Sequence, residues 1–150
     1  MEKPSHVIRG GRVLDTATGE APFQDVLIGG GAIVEIGPPA LPAPPDAEAI
    51  DASGMLLIPG LVNAHTHGHA SLSKGMGDQW SLELLLNAGP WISGQRTLED
   101  KYLAALLNGV EMLFKGCTAA YDLYFEFPVP TPEGLDAVAR GYRDAGVRAV

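Results

Sequence analysis

The chain has 150 residues, 46% hydrophobic and 19% charged, which suits a globular protein with a real core and excludes a disordered or fibrous one. Its formal net charge of −8 comes with no block of Lys or Arg, which speaks against a nucleic-acid partner, because phosphate binding needs a concentrated basic surface. The apolar runs fall far short of the about 20 residues that a membrane span needs, and Met1-Glu2-Lys3-Pro4 opens a polar segment rather than a secretory signal.

From His6 to about Leu57 the pattern is one of short strands. Val7-Ile8 and Val13-Leu14 flank Gly10-Gly11, and Val26-Leu27-Ile28 precedes Gly29-Gly30-Gly31, with Ile33-Val34-Glu35-Ile36 after it. β-Branched residues bounded by glycine are the strand-and-turn signal. The glycine run lacks the following helix and the Lys-Ser/Thr of a phosphate loop, so it reads as a hairpin turn. Gly37 to Pro45 is proline-rich and reads as an exposed connection, since proline cannot donate to a sheet ladder. Ile50-Asp51-Ala52 and Met55-Leu56-Leu57-Ile58 give two more strands. Residues 1–58 are therefore expected to form a small β domain, a composite sandwich.

After Pro59-Gly60 the period changes. Leu61 to Thr66 reads as a buried strand, and Thr97 to Lys115 as a helix. Thr97 caps the helix, Glu99 and Asp100 suit its positive end, and Lys115-Gly116 suits its exit. Leu98, Tyr102, Leu106, Val110 and Leu113 recur at helical spacing and predict its buried stripe. Cys117, the only cysteine, sits at the helix–strand junction and reads as a small buried filler. A single cysteine allows no intrachain disulfide, which makes a reducing cytoplasm the default compartment. A strand follows from Thr118 to about Tyr124. Pro132 then starts a helix with Leu135, Val138, Ala139 and Tyr142 on its buried face, Gly146 stops it, and Val147 to Val150 begins a third strand. Strand, helix, strand, helix, strand calls for a parallel sheet with helical crossovers. The fold class expected is α/β, with residues 59–150 as the first units of a (β/α)8 barrel. A whole barrel takes about 250 residues, so the chain reads as truncated.

The chemistry concentrates in Pro59-Gly60-Leu61-Val62-Asn63-Ala64-His65-Thr66-His67. Alternate residues of a strand project to one face, so Asn63, His65 and His67 are expected to point the same way. Barrel active sites lie at the C-terminal ends of the strands, where His65 and His67 fall, and two neutral imidazoles there can reach one metal ion. Alone, such a pair could mark a polar strand end breaking into a loop. The β segment before it and the βα pattern after it favour the metal reading.

Pro59 to His67 resembles the first-strand motif of the amidohydrolase superfamily, in its cytosine-deaminase and chlorohydrolase-like branch. The resemblance covers the whole chain, through the lead Asp51-Ala52-Ser53-Gly54-Met55-Leu56-Leu57-Ile58, and through Glu111 to Thr118 followed by Tyr121-Asp122. It implies an enzyme that hydrolyses carbon–nitrogen, non-peptide bonds of a small cyclic substrate, by deamination or amide hydrolysis with a metal-activated water. It also implies a divalent metal, zinc before iron or manganese, with His65 and His67 as its first two ligands. The other ligands and the proton-transfer group would lie on later strands, so no catalytic acid or base is expected within these residues and the segment alone should be inactive. His69 and Trp91 are candidates for substrate contact, beside Trp80, and Asp122 for orienting a metal-bound histidine. The family's nucleoside deaminases usually carry a Trp and a Glu that hold the nucleoside in the segment from Asp78 to Ile92. Leu84-Leu85 and Gly94-Gln95 stand near those places here, which argues against a nucleoside. The partner expected is a small molecule, with neither nucleic acid nor membrane, and a homo-oligomer stays open. Two other classes stay open as well: an inactive amidohydrolase-like scaffold or assembly subunit, and a β-rich binding module.

Overall fold

A computed structural model describes residues 5–150, so the polar segment Met1-Glu2-Lys3-Pro4 lies outside the described residues. The chain divides into two compact units, the first ending at Pro59 and the second running Gly60–Val150. Among the described residues no helix is long and apolar enough to cross a membrane.

In the first unit β1 (His6–Arg9) lies between β3 (Asp25–Gly29), antiparallel to it, and β5 (Glu48–Asp51), parallel to it. β4 (Ala32–Gly37) closes the sheet in the order β4-β3-β1-β5, while β2 (Arg12–Val13) and β6 (Leu56–Leu57) pair in a separate short ladder. The β3–β4 hairpin turns at Gly30 and Gly31, both at positive φ, which is the backbone that a tight two-residue hairpin demands. The core includes Val7, Val26, Leu41 and Ala52. Leu41 departs from the expected exposed connection. Asp25, only 2% exposed, explains why. It accepts from Arg9 Nη1 at 2.6 Å and from the Leu41 backbone N–H at 3.1 Å, so the proline-rich segment is drawn in to satisfy a buried carboxylate.

In the second unit β7 (Leu61–Thr66), β8 (Cys117–Asp122) and β9 (Arg148–Ala149) form a parallel sheet in that order. A 3-10 helix, Gly68–Ser73, follows β7, and then come α1 (Leu82–Ser93), α2 (Leu98–Phe114) and α3 (Pro132–Ala145). Thr97 and Asp100 make a reciprocal capping box on α2. Thr131 caps α3, Pro132 stands at its start, and Gly146 closes it at φ 87°. α1 was not among the elements assigned from the sequence; Ser81 caps it and Pro90 is held inside it.

Three burial expectations are corrected. The buried face of α2 is Ala104, Ala105, Asn108, Gly109 and Met112, while Leu98 and Leu113 are exposed. The reason is the close approach of α2 and α3. A Cβ on Gly141 would stand 2.6 Å from the Tyr102 carbonyl oxygen, and one on Gly109 2.7 Å from Ala145 Cβ, so small residues must occupy the crossing. On α3 the inward face is Gly134, Ala137, Val138, Gly141 and Tyr142, which leaves Leu135 and Ala139 exposed. Within β7, Leu61 and Val62 are 50% and 69% exposed rather than buried, because β7 is the edge of a three-stranded sheet. Cys117 is half-buried and packs against the core of Ala105, Met112, Ala120, Val138, Tyr142 and Val147.

Candidate metal centre

β7 delivers His65 near its end, and His67 stands just beyond it as the residue that opens the 3-10 helix. Their Nε2 atoms converge to 3.2 Å. Asn63 does not share their direction. Its Nδ2 reaches Met112 Sδ on α2 at 3.5 Å, and Thr66 accepts from Asn108 of the same helix at 3.3 Å. Residues three apart can face one side only if the pleat is broken, and the β7–β8 register does shift between Asn63 and Thr66. The two histidines thus face away from the helix layer, while the Asn63 carboxamide braces the strand by accepting the His65 backbone N–H at 3.2 Å.

Two nitrogens bound to one tetrahedral zinc at about 2.0–2.1 Å stand about 3.3 Å apart, which matches the His65–His67 separation. The outer nitrogen of His67 supports the same reading. Nδ1 lies 3.2 Å from the Leu123 carbonyl oxygen. An N–H donated there leaves Nε2 with its lone pair, as a metal-binding imidazole requires. Among the described residues no third His, Cys, Asp or Glu joins the pair, and catalytic zinc usually has three protein ligands. The donor chemistry fits a divalent ion as two members of a larger set.

Of the residues that hold this pair, Asp122 was expected from the sequence as the partner of a histidine ring, while Tyr142 and Asn108 went unseen in that role, because the three act from separate elements. Asp122, at the end of β8, makes no hydrogen bond to an imidazole. Its Oδ1 accepts the Gly68 backbone N–H at 2.9 Å, and its Oδ2 accepts the Tyr142 hydroxyl at 2.7 Å. Asn108 donates to the same hydroxyl at 2.9 Å. Burial, then the bond to Asp122, pushes the Tyr142 hydroxyl well above its ordinary range. Asp122 therefore fixes the backbone immediately after His67 rather than a ring.

His69 lies in the 3-10 helix, its Nδ1 accepting the Phe125 backbone N–H at 3.3 Å and its ring stacked edge-on to Tyr124. Burial, reinforced by the nearby His67, lowers its basicity. It lines a cleft of about 300 Å³ together with Ser73, Trp80, Leu85, Ile92 and Arg96. Arg96 donates from Nη2 to Ser73 Oγ, and its buried Nη1 has no acceptor among the described residues. Trp91 is 87% exposed and does not line this cleft. Trp80 does.

No family model matches the chain. The chain is 38% identical over 149 residues to a 5-methylthioadenosine/S-adenosylhomocysteine deaminase of Symbiobacterium thermophilum, covering 96% of this chain and 32% of that protein. It is 36% identical over 151 residues to a 5'-deoxyadenosine deaminase of Methanothermobacter thermautotrophicus, covering 100% of this chain and 33% of that protein. Among solved structures, it resembles a triazine hydrolase of Arthrobacter aurescens with a TM-score of 0.80 and 28% identity, over 98% of this chain and 35% of that one. A mutant atrazine chlorohydrolase from strain TC1 of the same organism, complexed with zinc and atraton, gives 0.79 and 28%, over 95% of this chain and 34% of that one. The chain spans about a third of the length of the relatives it matches. Sequence likeness to the deaminases along nearly all of its residues, together with the fold it shares with the triazine hydrolases, makes this chain a member of the amidohydrolase superfamily.

Proposed function

We propose that the protein containing this chain is a metal-dependent hydrolase of carbon–nitrogen bonds in a small cyclic substrate. In this reading β7 to β9 open a (β/α)8 barrel, residues 1–58 form the sandwich domain before it, and the active site lies at the C-terminal ends of the strands. The observation that carries it is the convergence of His65 Nε2 and His67 Nε2 at 3.2 Å at the end of β7. Those two nitrogens hold the divalent ion, with Leu123 and Asp122 fixing the ring and the backbone of the His67 region. A divalent ion held by His65 and His67 would supply the activation of water for attack at neutral pH.

The cleft beside the pair then receives the substrate, with His69, Trp80 and Arg96 among the residues that line it. The activities of the relatives favour deamination at a ring carbon. They also favour a nucleoside, against the expectation drawn from Leu84-Leu85 and Gly94-Gln95. A metal analysis of full-length His65→Ala, His67→Ala and His69→Ala proteins tests the assignment. Removing either of the first two takes away a ligand, so metal content and hydrolysis fall together, while His69→Ala keeps its metal. Full occupancy in His65→Ala and His67→Ala would remove the pair from the site and leave the inactive-scaffold reading.

A further inference from the structure

Glu126 is a buried carboxylate that the chemistry described so far does not use. It lies in the loop after β8 and gathers four donors. Oε1 accepts from Lys101 Nζ at 2.6 Å and from the Thr131 hydroxyl at 2.9 Å. Oε2 accepts from the Tyr124 hydroxyl at 2.9 Å and from the Thr131 backbone N–H at 3.1 Å. A Cβ on Gly134 would run into the same carboxylate, so the first turn of α3 is built around it. The side chains of Lys101 and Glu126 are 15% and 7% exposed, which makes this a buried ion pair. Pairs of that kind are seldom needed for stability, since well-packed apolar groups often do as well, but they can fix one arrangement of the chain.

The short run Leu123-Tyr124-Phe125 lies between Asp122 in β8 and Glu126, and its first residue also donates its backbone N–H to the Thr66 carbonyl oxygen of β7 at 2.8 Å. That run presents two backbone groups to the histidines: the Leu123 carbonyl oxygen beside His67 Nδ1, and the Phe125 N–H on His69 Nδ1. It also presents the Tyr124 ring to His69. One end of the run is anchored through Asp122 to Gly68 and Tyr142, the other through Glu126 to α2 and α3. The geometry points to Glu126 and Lys101 as positioning residues of the metal site, acting on His67 through the Leu123 carbonyl although neither touches an imidazole. This rests on the metal reading of His65 and His67 given above.

The test is zinc affinity of the full-length protein, measured by competition with a chelator, in parallel with stability toward urea. Glu126→Gln keeps the shape of the side chain but offers one acceptor oxygen and an amide NH2 to a ring of donors. Removing an outer-shell partner typically costs 10–100-fold in metal affinity. Zinc affinity should therefore fall in Glu126→Gln and in Lys101→Met, by up to about tenfold, because both act one step removed through the Leu123 carbonyl. Val26→Ala, a core truncation in the unit that ends at Pro59, should lose stability with zinc affinity unchanged. A Glu126→Gln or Lys101→Met protein that binds zinc like wild type, or loses no more affinity than Val26→Ala, would overturn the inference and leave Glu126 as a cap for α3. His65→Ala and His67→Ala, measured alongside, separate the two failures. If they lose zinc and the loop variants do not, the positioning role falls and the metal reading stands.

Discussion

Gly68 is the position where the site and the core are most tightly coupled. Its φ is not in the left-handed region, so alanine is compatible with the backbone and only space opposes it. A Cβ there would stand 2.8 Å from Asp122 Oδ2 and 3.1 Å from Asn108 Nδ2, and nearer still to the Tyr142 hydroxyl. All three are polar groups held by one another in a buried network, so none can yield without breaking a bond. Overpacking of this kind costs about 1–3 kcal/mol. Losing a hydrogen bond to the Asp122 carboxylate adds about 1.5–3 kcal/mol. Gly68→Ala should therefore destabilise the protein by about 3–5 kcal/mol, a large share of an ordinary stability of about 5–15 kcal/mol. Urea unfolding measures it. The decisive comparison is the cycle with Tyr142→Phe, which removes the nearest obstacle. In that background Gly68→Ala should cost at least about 1 kcal/mol less than in wild type, because part of the clash has gone. Costs that add within about 0.5 kcal/mol, or a Gly68→Ala protein as stable as wild type, would refute the network as the cause.

Val138 is buried among Ala105, Met112 and Tyr142, so Val138→Asp should bury an unpaired charge, cost several kcal/mol and lower the melting temperature of the full-length protein by many degrees; an unchanged melting curve would contradict that packing. Glu126 is held at a pKa of about 2, well below the ordinary carboxylate range, by Lys101, Thr131 and Tyr124 against the opposing effect of burial. A lowered carboxylate contributes stability that is fully present above pH about 4.5 and is lost as the pH falls toward 2, so wild type should lose stability faster than Glu126→Gln over that window in acid titrations of unfolding. Parallel curves would remove the assigned cause.

Local sequence determined much of this protein. The capping residues Thr97 and Thr131, the stop at Gly146 and the hairpin glycines act within a few residues of themselves, so their meaning survives without the rest of the fold. The position of His65 and His67 at the end of a strand was likewise legible, since the motif and the strand are contiguous. Faces were less so. Periodicity put large leucines on the buried stripe of α2, but the spacing of α2 and α3 is a property of two helices together, and it selected alanine and glycine. Strict alternation failed in β7 for a similar reason: the irregular pairing with β8 sends Asn63 to the helix and the histidines the other way. Asp122, Tyr142 and Asn108 form their bonds across 20 to 54 residues, and no spacing rule connects them. Hydrogen-bond partners so distant in sequence are chosen only when the chain has folded, because a buried donor or acceptor must find whichever group the packing brings within reach.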